Sequence, residues 1–160
     1  MLNITVLCVG KLKERFYRDA VEEYRKRLTG LCKLELVELP EVRLPERPAQ
    51  AQIDAALQKE GAAIRARLPK RTTLIALCIE GREMSSEALA EQLSALAVSG
   101  QSSVTFLIGG SYGLDPALKQ EAALRLSMSP MTFPHHLARV MLLEQIYRAF
   151  QINKGSEYHK

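Results

Sequence analysis

Short runs of apolar and β-branched residues recur along this chain with a helix-period segment after each, and that alternation limits the fold more than any other feature. The runs occupy 4–9, 34–39, 73–79 and 104–108, with a weaker one at 124–128. Strands that read as unbroken apolar runs must be covered on both faces, which suits a parallel sheet whose crossovers are helices. The intervening segments supply those helices. Phe16, Ala20, Val21, Tyr24 and Leu28 share one face of the first, and Leu89, Leu93 and Leu96 share one face of the third. The second, about 48–67, is rich in alanine and carries Ile53, Leu57 and Ile64. Asp115-Pro116 reads as an N-cap followed by proline at the first helical position, opening a fourth. The expected class is α/β, a parallel-type sheet with helices on both faces.

The last helix, about 135–153, departs from the amphipathic pattern. Between 137 and 152 its apolar residues point in nearly every direction around the axis. A helix apolar all round must be buried all round, and a chain of 160 residues has little protein with which to surround a terminal helix. One face is expected on the sheet and another against a second copy, giving a homodimer. Glu144, Arg148 and Gln151 form the remaining polar stripe at i, i+4 and i+7. An intrahelical ion pair explains two of them; a cleft or a dimer contact explains all three.

The length fits a single domain over 1–160, and no repeat, low-complexity tract or linker divides it. The proline-containing piece 39–48 reads as a surface loop. No basic leader and no stretch of about 18 apolar residues points to export or a membrane span. Cys8, Cys32 and Cys78 are widely spaced in apolar runs, which suits buried thiols in a reducing cytoplasm and neither a disulfide framework nor a zinc site. Net charge is +4, unevenly spread: 83–115 holds no Lys or Arg, whereas 11–27 holds seven. Such clustering permits a phosphate-backbone partner. Interleaved acids (Glu14, Asp19, Glu22, Glu23) fit an ordinary solvated face as well.

The sharpest local feature is 106–114, FLIGGSYGL, glycines directly after a strand and before a helix. Ligands of parallel α/β folds bind beyond the carboxyl ends of strands, where glycine lets backbone come close. No Gly-Lys-Ser/Thr follows and the GxGxxG spacing is absent. GxSxG is present, so a small serine hydrolase using Ser111 is a rival reading, though the Asp115 cap starts the helix late for a nucleophile elbow. A plain structural turn and a non-catalytic nucleotide- or RNA-binding module are further alternatives. The second feature, 126–136, is a loop of Met, Ser, Pro, Thr and Phe running into His135-His136 and the last helix, with Thr132 as its expected N-cap. A helix N-terminus disfavours imidazolium, so these histidines are expected to be neutral near pH 7. They do not make a metal site; an ordinary surface pair is the other reading.

Taken together, FLIGGSYGL, LSMSPMTFPHHLARVMLLEQIYRAFQI and the terminal YHK strongly resemble the ribosomal RNA large subunit methyltransferase H family, along the whole chain and most densely over 104–160. The resemblance implies a minimal SPOUT methyltransferase with a C-terminal deep trefoil knot, a rare exception to the rule against threaded chains. It implies S-adenosyl-L-methionine as cofactor and methylation of N3 of a pseudouridine in helix 69 of large-subunit (23S) ribosomal RNA, within an assembled ribosome. Carried onto this chain, the cofactor pocket falls on Leu77, Gly109, Gly110, Met128, Ser129, Pro130, Met131, Thr132 and Phe133. The apolar members would enclose the adenine and the glycine loop would leave room for the bent cofactor. The doubled His135-His136 departs from the family at its second position.

In such a reaction the protein aligns donor and acceptor and manages one proton of a weakly acidic imide. Candidates for that proton, or for stabilising the anion, are His135, Glu144, Tyr158 and His159. Arg139, Arg148 and Lys160 are expected at the RNA. The segment 155–160 would ordinarily fray; its aromatic and cationic content, with the resemblance, instead favours base stacking and phosphate contact.

Overall fold

In a computed structural model, which describes residues 1–159, five parallel strands form one sheet in the order β2-β1-β4-β3-β5. The strands are β1 (Asn3–Val9), β2 (Lys33–Leu39), β3 (Thr73–Glu83), β4 (Ser103–Ile108) and β5 (Leu124–Ser127). The helices are α1 (Arg15–Leu28), α2 (Gln50–Arg67), α3 (Ser86–Val98), α4 (Pro116–Glu121) and α5 (His135–Lys154). Every residue of central β4 is buried, as continuous apolar strands require.

Side-chain alternation divides the core in two. Ile4, Val6, Cys8, Val104, Phe106 and Ile108 face α1, α3 and α5, whose Leu28, Leu93, Leu142 and Ile146 complete that layer. Leu7, Val9, Leu107 and Ala76 face α2 and α4 through Ile64 and Leu118. Ser85 caps α3 by accepting the Ala88 N–H at 3.0 Å, and Asp115 caps α4 by accepting that of Ala117 at 3.2 Å. Among the described residues no helix is long and apolar enough to cross a membrane.

Four expectations change. β3 does not stop at 79 but continues through a bulge to Glu83. The cap of α5 is Pro134, with no side-chain acceptor, so Thr132 is not its N-cap: proline's fixed φ ends the loop and the helix starts at the next residue. Phe16 is 65% exposed, because α1 buries only Val21 and Leu28 fully. Of the three thiols, Cys8 and Cys32 are buried and Cys78 only partly. Burial pushes Cys8 up to about 12 and Cys32 to about 11.

α5 has no exposed residue between His135 and Ile152. Its Leu142, Leu143, Ile146 and Ala149 are fully buried in the core. Leu137 and Met141 are half-buried and belong to neither core layer, so one stripe of the helix keeps an apolar face turned away from its own sheet.

Candidate functional site

The carboxyl ends of β3, β4 and β5 open into a cavity of about 760 Å3, a size typical of small-molecule sites. Three segments wall it. The first is the bulge of β3. Leu77 and Arg82 both pair with Leu126, so Cys78, Ile79 and Glu80 leave the ladder and line the cavity. Gly81 permits this, since a Cβ there would lie 2.7 Å from the Arg125 carbonyl oxygen. Lys119 of α4 donates to Glu80 at 2.7 Å and holds its carboxyl below the usual range.

The second wall is the glycine loop. The Gly113 N–H donates to the Gly110 carbonyl at 3.1 Å, closing a turn in which Gly113 takes φ +86°. Gly109 is buried against that turn, and a Cβ on it would sit 2.3 Å from the Gly113 carbonyl. Its missing side chain thus makes room for the loop's own backbone, not directly for a ligand. Glu41, in the loop between β2 and α2, reaches across to accept the Ser111 N–H at 2.7 Å. The same carboxylate occupies the space a Cβ of Gly110 would need, 2.6 Å away.

The third wall is the segment leading into α5. Ser127 Oγ donates to the Ser129 carbonyl at 3.1 Å, and the Met131 N–H donates to Ser129 Oγ at 3.0 Å. These bonds present Met128, Ser129, Met131, Thr132, Phe133 and His135 to the cavity. Met131 is 72% exposed at its mouth.

Of the nine expected cofactor residues, all but Pro130 line this cavity; Pro130 is an exposed link between two that do. The expected proton-handling residues separate into two groups. His135 stands alone on the wall. It is held below its usual value chiefly by burial, with neighbouring His136 adding to the effect; the expectation of a neutral imidazole stands, but desolvation and not the helix terminus leads. Its Nδ1 is buried and has no partner among the described residues.

Glu144, Tyr158, His159 and Arg148 instead form one network. Tyr158 Oη donates to Glu144 Oε1 at 2.8 Å, and Arg148 donates to the same oxygen at 2.9 Å. Arg148 also meets His159 Nδ1 at 3.0 Å, and His159 Nε2 lies 2.6 Å from Glu87. The Tyr158 ring packs edge-on to Tyr147 and lies beneath the Arg148 guanidinium. Tyr158 is therefore raised, first by its bond to Glu144. Gly155 makes the return possible. It ends α5 in the left-handed region while Ser156 N–H bonds the Gln151 carbonyl at 3.1 Å and its own N–H bonds that of Ile152 at 3.0 Å. The described tail is folded back, not frayed. Glu144 also borders a smaller cavity of about 380 Å3 that shares Leu126 and Met128 with the main one, and its Oε2 is buried without a partner among the described residues.

Arg139 is not at the surface. It is 2% exposed, ion-paired to Glu38 and bonded to the Gly10 carbonyl at 3.1 Å. A guanidinium committed to the turn after β1 is not free to meet a phosphate. Lys160 lies outside the described residues. Ser111 has no histidine bonded to its hydroxyl among them, its N–H is taken by Glu41, and α4 begins only at Pro116, so the nucleophile elbow is not formed. Sequence reasoning missed Glu41, Glu80 and Lys119, since nothing in spacing ties 41 to 111 or 80 to 119.

A family model described as "Predicted SPOUT methyltransferase" matches residues 2–159. A Leuconostoc mesenteroides protein called ribosomal RNA large subunit methyltransferase H is 46% identical over 159 residues, covering 99% of this chain and 100% of its own. Relatives with the same name from Levilactobacillus brevis and Streptococcus pyogenes are 45% and 44% identical over the same extent. A solved structure of a probable methylase family protein from Haemophilus influenzae superposes with a TM-score of 0.54 at 14% identity, over 98% of this chain and 70% of that one.

Proposed function

The chain belongs to the SPOUT methyltransferases, in the family called ribosomal RNA large subunit methyltransferase H, and from that premise we propose that it methylates large-subunit ribosomal RNA at N3 of a pseudouridine in helix 69, using S-adenosyl-L-methionine. The observation that carries the reading is the cavity where the β3 bulge, the glycine loop and the 126–135 segment meet, lined by eight of the nine residues the family pattern designates. Its chemistry fits the cofactor. Leu77, Met128, Met131 and Phe133 offer apolar cover for a purine, and the backbone of the serine-locked loop offers polar groups for its edge. Bound there, the cofactor would supply an electrophilic methyl group.

The chain's own residues have the remaining tasks. The loops around the cavity hold the acceptor against the donor. His135, kept neutral by burial, lines the cavity and is the first candidate to take the imide proton. Glu144, whose Oε1 accepts from Tyr158 and Arg148, is the second candidate for a part in the reaction. The threading of the C-terminal segment into a trefoil knot belongs to the same reading. So do a cytoplasmic location and action on assembled ribosomes. We read the apolar stripe of Leu137 and Met141 as the homodimer contact.

Calorimetric titration with S-adenosyl-L-methionine tests the reading. Micromolar affinity at one site per chain is expected, and no heat at millimolar cofactor would contradict it.

A further inference from the structure

A second groove, about 840 Å3, runs between the turn after β1 and the loop after β2, and it shares Ser111, Tyr112 and His135 with the donor cavity. Three cations line it, Lys11, Lys13 and Arg43. All three are exposed, and among the described residues none is in a salt bridge. Two acids of the same groove accept backbone N–H groups. Glu41 accepts the Ser111 N–H at 2.7 Å and Glu60 accepts that of Val42 at 2.9 Å. Glu14 lies 3.9 Å from His136. Lys11, Lys13 and Arg43 are thus exposed charges of the groove with no salt-bridge partner among the described residues.

Rings extend the groove outward. His135 and His136 stand 4.0 Å apart between centroids, His136 and Tyr17 6.0 Å, and Tyr17 and Phe16 4.4 Å. The series ends at Phe16, which is 65% exposed. Unpaired cations beside an open aromatic ring are what a single-stranded nucleic acid uses: phosphates on the first, bases stacked on the second.

Resting on the methyltransferase reading above, we propose that this groove seats the RNA strand flanking the acceptor nucleotide, with Lys11, Lys13 and Arg43 on its phosphates and Phe16 under a neighbouring base. His135 forms the wall shared with the donor cavity, so a strand here would bring its nucleotide next to that cavity.

The test uses Lys11→Ala/Lys13→Ala, Phe16→Ala, and as control Lys26→Ala/Lys59→Ala, two exposed lysines outside the groove. Each is assayed for melting, cofactor affinity and methyl transfer to large ribosomal subunits across a salt series. The groove variants should melt and bind cofactor like wild type, while KM for subunits rises about tenfold or more. For the double lysine variant the slope of log KM against log salt should flatten by about one to two. Unchanged KM and slope, or an equal loss in the control, would overturn the groove assignment. A wild-type protein that methylates no subunits would overturn the functional reading beneath it, and that failure is seen before any variant is made.

Discussion

Replacing the two partners of the Arg139–Glu38 pair should cost unequal amounts of stability. Arg139→Met removes a guanidinium whose side chain is 3% exposed and leaves behind the Gly10 carbonyl and Glu38. Glu38 still accepts the Leu12 N–H at 3.1 Å, and its side chain is 38% exposed, so water can solvate it. The loss is then chiefly the charge-assisted bond to Gly10, about 2 kcal/mol. Glu38→Ala instead strands a buried cation with one carbonyl, a change that costs ~3–5 kcal/mol. In a chain of this size each kcal/mol moves the melting temperature by about 2–4 °C. Arg139→Met should therefore melt ~4–8 °C below wild type and Glu38→Ala ~6–20 °C below it. Adding Arg139→Met to Glu38→Ala should recover stability, because it removes the stranded charge. Thermal unfolding followed by circular dichroism, with methyl transfer measured well below both transitions, gives the readout. An Arg139→Met protein that melts like wild type but loses affinity for ribosomes would show that Arg139 is an RNA contact and that its burial has been misread.

Deleting Tyr158–Lys160 should leave cofactor affinity unchanged in calorimetry while methyl transfer falls at least a hundredfold, since Glu144 loses the Tyr158 hydroxyl; wild-type turnover would remove the tail from the reaction. His135 titrates lower in the folded chain than in the unfolded one, so below about pH 6.5 the unfolded state takes up the proton first and stability falls as pH drops. His135→Gln should flatten that part of the urea-midpoint profile, and an unaltered profile would contradict the buried, neutral imidazole. Met141→Asp should convert a dimer to monomers in light scattering with a small change in melting, whereas Phe150→Asp should also unfold the chain because Phe150 packs on the core. A monomeric wild type at micromolar concentration would contradict the α5 contact.

The sheet was legible because β1 and β4 are apolar on both faces; Asp115-Pro116 marks α4 to the residue. The bulge of β3 was not, because Gly81 matters only against the backbone of Arg125, which is distant in sequence. Gly109 stood out for the right loop and for an incomplete reason, since its neighbour is Gly113. Arg139 looked like a surface cation because pattern alone cannot show a partner at Glu38. The cavity-lining role of segment 128–133 came from family resemblance, and periodicity would not have found it. Glu41 could not be found in the sequence at all: a carboxylate in a proline-rich loop says nothing of a bond to Ser111.

Transfer of labelled methyl from S-adenosyl-L-methionine to large-subunit RNA, followed by nuclease digestion and mass spectrometry of the nucleosides, bears most directly on whether this cavity works as a donor site. The substrate should be ribosomes from cells lacking the corresponding endogenous methyltransferase. The expected product is N3-methylpseudouridine in helix 69, abolished when the cofactor is withheld. Label appearing in another nucleoside, or none at all from a protein that binds the cofactor, would contradict the assignment.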